Sequence, residues 1–177
     1  MKVITAIEDY MPQENDICVF LAGGITNCPN WQKEVIDRLN ENVNTETLCV
    51  FNPRRENFPI HDPNASLKQI TWEYKWLEHM DIFSMYFSSG ESDQPICMYE
   101  LGRNILRMQN RYPSDWEKRI IITAENGYKR KNDVIIQTGL ATHNKVYVDT
   151  RITLNGMLTQ EHADYIYKAY RNIAIKS

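Results

Sequence analysis

Short, continuously apolar runs alternate along the chain with longer amphipathic segments. Runs without polar interruption suit strands that are buried on both faces of a sheet. Predominantly apolar runs of this kind are Ile17–Ala22, Leu48–Phe51, Ile82–Phe87, Ile120–Thr123 and Lys145–Val148. Gly23-Gly24 ends the first run, and Asn52-Pro53 ends the second because proline cannot continue a strand ladder. The pattern predicts about five strands.

Apolar residues at helical spacing fill the intervals between these runs. They predict helices around 31–39, over 65–80, from 95 to about 110, and over 160–175. Strands that alternate with helices imply a mostly parallel sheet with helices on both faces. We therefore predict one α/β domain over residues 1–177, a doubly wound, flavodoxin-like or Rossmann-like three-layer sandwich with strand order 2-1-3-4-5.

The loop-like segments point to one edge of this sheet. Residues 8–16 form a loop before the first predicted strand, while residues 54–64, 88–94 and 125–133 each follow a predicted strand end. Because the carboxyl ends of parallel strands meet at one edge, those three loops should gather there. We expect the active face at this edge.

Charge and hydropathy limit the partners and the location. A formal net charge of -3 offers no basic stripe for a nucleic acid polymer or an anionic membrane, so a small-molecule substrate fits better. No apolar run approaches the roughly 20 residues that span a bilayer, and acids appear early where a signal peptide needs an apolar core. A cytoplasmic protein is predicted.

The metal-binding and cofactor-binding patterns are missing from the sequence. The four cysteines lack a CxxC spacing and the four histidines form no HxH or HExxH, so we expect reduced packing thiols and no metal. The glycine pair is not GxGxxG, and no Walker lysine follows it. No cofactor is predicted.

Two residue pairs at the expected active face can contact a ligand. Gly23 and Gly24 allow close approach to the backbone, although a tight turn needed for packing explains them equally well. Arg54 and Arg55 can hold a phosphate, a carboxylate or a base edge, or they can pair with nearby acids such as Glu56 in a solvated loop.

Two acids occupy positions that are unusual for surface charges. Glu73 lies in the second predicted helix, and if Ile70 and Leu77 face the sheet it sits beside the buried stripe with no cation three or four residues away. Glu100 lies near a helix start among apolar neighbours. The helix dipole alone explains an acid there, and it also helps to keep a nucleophilic carboxylate ionised.

These segments together resemble the nucleoside 2-deoxyribosyltransferase superfamily, in particular its deoxyribosyltransferase-like branch. The resemblance covers roughly residues 17–107. It is carried by Val19–Ile25 with Trp31-Gln32, by Val50–Arg55, by Gln69–Glu73, by the strand that Asp81 opens, and by Pro95-Ile96 with Tyr99–Gly102. Several separated motifs agree in order, which is more specific than one motif alone.

The resemblance implies the doubly wound fold and cleavage of the N-glycosidic bond of a nucleoside or nucleotide by a retaining mechanism. It implies that Glu100 is the nucleophile and that Glu73 assists the leaving base. Candidate substrate-binding residues are Gly23, Gly24, Asn52, Arg54, Arg55, Gln94 and Asn132, and Asp81 is expected to hold the strand start near the site. Relatives complete their pocket across an oligomer interface, so a homodimer or higher homo-oligomer is expected.

One departure from the family pattern leaves the substrate open. Gln94 stands where the better-known transferases carry an acid that binds the sugar, and it is not one of the small residues that bind phosphate in monophosphate-cleaving relatives. The alternative function is a non-catalytic nucleotide-binding or sensing module on the same fold. A flavodoxin-like signalling domain ranks last, since the chain lacks a flavin or phosphoacceptor signature.

Overall fold

Apolar strands build one parallel sheet at the centre of the molecule. The structure is a computed structural model that describes residues 1–150 and 158–175. Within these residues six parallel strands pair in the order β1-β3-β2-β4-β5-β6. They are β1 (Lys2–Thr5), β2 (Ile17–Gly23), β3 (Leu48–Asn52), β4 (Ile82–Phe87), β5 (Ile120–Ala124) and β6 (Val148–Asp149). The order predicted for five strands is confirmed in β2 to β6.

Helices cover both faces of the sheet, which confirms the doubly wound α/β prediction. In the described residues they are α1 (Trp31–Asn40), α2 (Ala65–His79), α3 (Pro95–Arg111), α4 (Lys131–Thr142) and α5 (Leu158–Ala174). The apolar faces of α2, α3 and α4 belong to one core cluster, while α1 and α5 share the other. No helix in this part of the chain combines the length and apolar character that a bilayer span requires.

Three elements differ from the prediction. β1 was not predicted because it is an edge strand, paired only with β3, and its apolar run is limited to Val3-Ile4. α4 replaces part of the predicted 125–133 loop and continues beyond it. Its buried positions are Val134, Thr138 and Thr142, so the apolar spacing that marks most helices is missing. The last strand lies at 148–149 instead of 145–148.

The orientation of α2 also differs from the expectation. Trp72, Trp76 and Leu77 are buried, whereas Ile70 is 61% exposed, so Ile70 does not face the sheet. Apolar residues lie on both sides of this helix, and the larger aromatic rings form the buried side because they cover more apolar area. Glu73 follows Trp72 and lies at the edge of the buried side.

A buried histidine ties α5 to the sheet. One ring nitrogen of His162 hydrogen-bonds to Ser84 Oγ on β4 (2.7 Å), and the other to Thr123 Oγ1 on β5 (2.8 Å). The ring also meets Trp31 and Tyr86 edge-on. Complete burial lowers the pKa of His162 to about 3, so the ring is neutral at pH 7 and joins the two layers without a charge.

Candidate active site

A crevice opens where β2 and β4 lie side by side. β3 continues the sheet on one side of this pair and β5 on the other, so their carboxyl ends form the topological switch point of the fold. A cavity of about 220 Å³ occupies the crevice. Among the residues that line it are Gly23, Gly24, Glu73, Gln94 and Glu100. The structure thus brings together five of the predicted site residues.

Close packing restricts the two glycines at the end of β2. Gly23 has φ 151°, and a Cβ there would lie 2.3 Å from the Tyr86 carbonyl oxygen and 2.6 Å from the Trp31 ring. A Cβ on Gly24 would lie 2.5 Å from Gln94 Oε1. Packing therefore requires Gly23, whereas a Cβ on Gly24 would meet only the ends of the Gln94 and Cys28 side chains. The lack of side chains at both positions exposes their backbone to the cavity.

Glu73 reaches the cavity from α2. Gln69 holds it in place, because Gln69 Nε2 donates to Glu73 Oε1 (2.8 Å) and to the Pro53 carbonyl oxygen (2.7 Å). Burial raises the pKa of Glu73, and the hydrogen bond from Gln69 partly offsets that rise. No ion pair joins Glu73 to a cation within the described residues.

Glu100 reaches the same cavity from α3. Burial and, to a smaller extent, the nearby Glu73 raise the pKa of Glu100 to about 7, although Arg103 opposes the rise. Glu100 is the sixth residue of the helix, so it lies beyond the first turn. The helix dipole acts most strongly within the first turn. The net effect of the surroundings is to disfavour the ionised form of Glu100, because desolvation dominates.

Gln94 presents an acceptor to the cavity. It precedes α3 in a left-handed conformation (φ 47°), is 4% exposed, and donates through Nε2 to the Ser88 carbonyl oxygen (2.8 Å). That bond leaves Gln94 Oε1 buried without a hydrogen-bond partner among the described residues. A ligand hydroxyl or amino group in the cavity would satisfy it.

Arg54 and Arg55 lie outside the cavity lining. Arg54 Nε donates to Gln32 Oε1 (2.8 Å), and one terminal nitrogen donates to backbone carbonyl groups of the loop after β2, those of Gly24, Ile25, Cys28 and Pro29. Arg55 instead stacks over the Phe58 ring, 5.6 Å from its centroid. Arg54 holds the glycine loop in shape, and its role as a substrate ligand stays a prediction.

Three other predicted residues also lie away from the cavity. Asn52 Oδ1 accepts the Arg54 backbone N–H (3.0 Å). Asp81 holds the start of β4 by accepting the Cys18 N–H (2.9 Å) and the Tyr112 hydroxyl (2.6 Å), but it lies at the opposite end of the sheet from the cavity. Asn132 is exposed on the first turn of α4 and does not line the cavity of its own chain.

Glu125 is a supporting residue that the sequence analysis missed. It directly follows β5 and accepts hydrogen bonds from the Ser89 backbone, the Ser89 hydroxyl and the Tyr86 hydroxyl. These contacts anchor the loop that leads to Gln94 and α3. An acid directly after a strand, at the edge where the loops gather, was the available signal. Among residues 1–150 and 158–175, no cluster of His, Cys, Asp or Glu suits a metal ion.

Comparison with known proteins gives one family. The family described as nucleoside 2-deoxyribosyltransferase-like matches residues 16–112, which include both acids of the cavity and the chain from β2 to the end of α3. The resemblance found in the sequence is confirmed. The curated proteins contain no match to the chain.

The two adjacent arginines provide a matched test of the loop. We expect Arg54→Met to lower the free energy of unfolding by about 1–3 kcal/mol, because it leaves several partly buried carbonyl groups without a donor. Arg55→Met should change it by less than about 0.5 kcal/mol, as for most surface substitutions. Urea denaturation measures both. Equal effects of the two substitutions would contradict the loop-holding role of Arg54.

Proposed function

The chain belongs to the nucleoside 2-deoxyribosyltransferase-like family, and from this premise we propose that it cleaves the N-glycosidic bond of a (deoxy)nucleoside or nucleotide. The observation that carries the proposal is the pair of acids, Glu73 and Glu100, in one cavity with raised pKa values. Perturbed acids in a cleft are typical of catalytic sites. A module that only binds nucleotides has no need to bury two acids beside a ligand already rich in acceptors.

The proposed reaction has two displacements at the anomeric carbon. An ionised Glu100 oxygen attacks C1′ of the sugar, the C1′–N bond breaks with its electron pair on the base, and Glu73 delivers a proton to the leaving base. The product is a sugar ester of Glu100. A second base or a water then attacks C1′ and gives its proton to Glu73, the C1′–O bond of the ester breaks, and the Glu100 carboxylate is restored with retained configuration.

The raised pKa values fit different parts of this cycle. Because its pKa is raised, Glu73 keeps its proton up to a pH that is closer to neutral, as a general acid requires. Glu100 must lose its proton before it attacks, so its pKa of about 7 places the onset of activity near neutral pH. Gln94 Oε1 and the backbone of the glycine loop are proposed to position the sugar and base.

A second copy of the chain is the proposed partner. Exposed apolar side chains lie together on α2 and α3 beside the cavity, namely Leu67, Ile70, Tyr74, Ile96, Tyr99 and Leu106. We refer to them as the α2–α3 surface. Such a surface is typical of a protein interface, and self-association would cover the cavity mouth at Ile96. The proposed compartment is the cytoplasm, which suits the four free cysteine thiols.

Base release tests the proposed function. Purified protein incubated with deoxynucleosides, ribonucleosides and their 5′-monophosphates should release free base. Chromatography measures the amount of base released. Glu100→Ala should lower the rate by about 10³-fold or more, because no ester can form. For the wild type, kcat/KM should fall as pH decreases below about 7, since Glu100 becomes protonated.

Glu46→Gln is the matched control for the carboxylate, because Glu46 is exposed near the opposite end of the sheet. It should retain wild-type turnover. Unchanged turnover in Glu100→Ala would remove Glu100 as nucleophile. No base release from any substrate, together with thermal stabilisation by nucleosides, would favour the sensing module.

The charge of the cavity predicts which substrate is preferred. The described cavity lining contains two acids and no arginine, lysine or histidine. A 5′-phosphate would therefore meet acids without a compensating cation, so kcat/KM should be about tenfold or more higher for a deoxynucleoside than for its 5′-monophosphate. Competition between the two substrates measures the ratio. Faster cleavage of the monophosphate would contradict this preference.

The α2–α3 surface predicts the oligomeric state. Ile70→Asp should convert a dimer or larger assembly to monomer, because it introduces a charge into an apolar interface. Val43→Asp is the control, since Val43 is 70% exposed but lies outside this surface. Light scattering measures the mass of each variant. An unchanged mass for Ile70→Asp would locate the interface elsewhere.

A further inference from the structure

Three arginines of α3 hold this helix against α2. Arg103, Arg107 and Arg111 recur every four residues and so share one side of α3. Arg107 donates to the Glu78 carboxylate and to the Leu77 carbonyl oxygen (3.4 Å), and Arg111 donates to the Glu78 carbonyl oxygen (2.8 Å). These contacts join the two helices that carry the acids of the cavity.

Arg103 makes a different kind of contact, closest to the acids. Its guanidinium lies 5.0 Å from the ring centroid of Tyr74 and 5.6 Å from that of Tyr99. Tyr74 directly follows Glu73, and Tyr99 directly precedes Glu100. Arg103 therefore bridges α2 and α3 at the neighbours of both carboxylates.

The charge of Arg103 is not neutralised by a close acid. No ion pair within 4 Å joins Arg103 to a carboxylate in the described part of the chain, and its Nε is buried without a hydrogen-bond partner there. Arginine stays charged at any pH of interest. Its field is thus available to groups one helical turn away, which include Glu100.

We propose that Arg103 is a positioning residue for the Glu73–Glu100 pair: it fixes α2 against α3 beside the two acids and supplies the positive charge that allows Glu100 to ionise. The assignment of a catalytic purpose to this contact rests on the proposed function. The contact itself is a property of the fold.

The other groups around Glu100 do not supply that charge. Glu73 on α2 opposes ionisation, and the buried Cys97 thiol on α3 has a raised pKa and stays neutral. Cys28, in the loop after β2, is a further thiol close enough to interact with Cys97. The guanidinium of Arg54 points to the carbonyl groups of that loop. Arg103 is the cation, among the described residues, that lowers the pKa of Glu100.

The test follows the ionisation of Glu100 directly. In protein labelled with ¹³C at the glutamate side-chain carboxyl carbon, Glu100→Gln identifies the Glu100 resonance, and a pH titration gives its midpoint. Arg103→Leu should raise the midpoint by roughly 0.5–1 pH unit, the size expected from loss of a partly screened charge. Arg103→Lys keeps the charge over the rings and should stay within about 0.3 pH unit of the wild type.

Arg107→Leu is the matched control, because it removes the next contact between α2 and α3 without removing the charge beside Glu100. It should lower stability and leave the midpoint unchanged. The proposal is overturned if Arg103→Leu leaves the midpoint in place, or if Arg107→Leu moves it equally. Arg103→Gln provides the same comparison if Arg103→Leu does not fold.

Kinetics separate this proposal from the proposed function. If base is released, Arg103→Leu should reduce kcat/KM most near pH 6 and least near pH 9, where Glu100 is ionised in both proteins. A uniform loss at every pH would indicate a purely structural role and overturn the electrostatic part. If no base is released, the proposed function fails, while the titration of Glu100 still decides the role of Arg103.

Discussion

The parallel pairing of β2 with β4 is the constraint on which the site depends. Gly23 aligns with Tyr86 in this pair, and the carbonyl oxygen of Tyr86 leaves no room for a side chain on Gly23. α2 packs on β2 and α3 packs on β4, so each strand of the pair carries one helix. The crevice between the helices consequently lies directly above the pair. An acid on each helix then faces the same cavity, although 27 positions separate 73 from 100 in the sequence.

Two half-buried acids in one cavity are an unfavourable choice for stability alone. Desolvation disfavours the charged form of both acids, and repulsion by Glu73 adds to it at Glu100, so the pKa values of both rise. Apolar residues of similar size would fill the space without this penalty. Gln69 offsets it for Glu73 by a hydrogen bond, whereas Glu100 depends on the field of Arg103. The two acids are therefore supported by different means, in keeping with the two different roles proposed for them.

Local pattern predicted the elements better than it predicted their orientation. The apolar runs gave four central strands and their order, because a strand buried on both faces has an unmistakable composition. The edge strand β1 was missed since only one of its four residues is buried and its apolar run is two residues long. For α2 the helix was predicted but Ile70 was placed on the wrong side, because apolar residues occur on both sides of that helix. Which side is buried depends on rings from β3 that local spacing does not contain, such as Phe51, which stacks on Trp76.

The site shows the same division between local and long-range information. Glu100 and the glycines could be placed at one edge from strand ends alone, whereas Glu73 was singled out by its position beside the buried stripe of a helix and by the family resemblance. The position of Arg54 could not, because its partners are carbonyl groups 25 to 30 residues away that carry no sequence signal. Arg103 was missed for a related reason. Its contacts are the faces of two exposed tyrosines, and only the packing of α2 beside α3 brings both within reach.

The link between His162 and the central strands has a consequence for how the chain is made. α5 covers the sheet face formed by residues such as Val19, Leu21 and Ile82, and its histidine joins β4 to β5. A ribosome releases the chain from its N-terminus, so β2, β4 and every residue that lines the cavity emerge before α5. α1 also emerges early, but the part of this face that α5 covers remains exposed until residue 162 and its neighbours have left the exit tunnel. The nascent chain therefore presents the residues of the proposed active site first, and this face of the sheet is completed only when one late helix arrives.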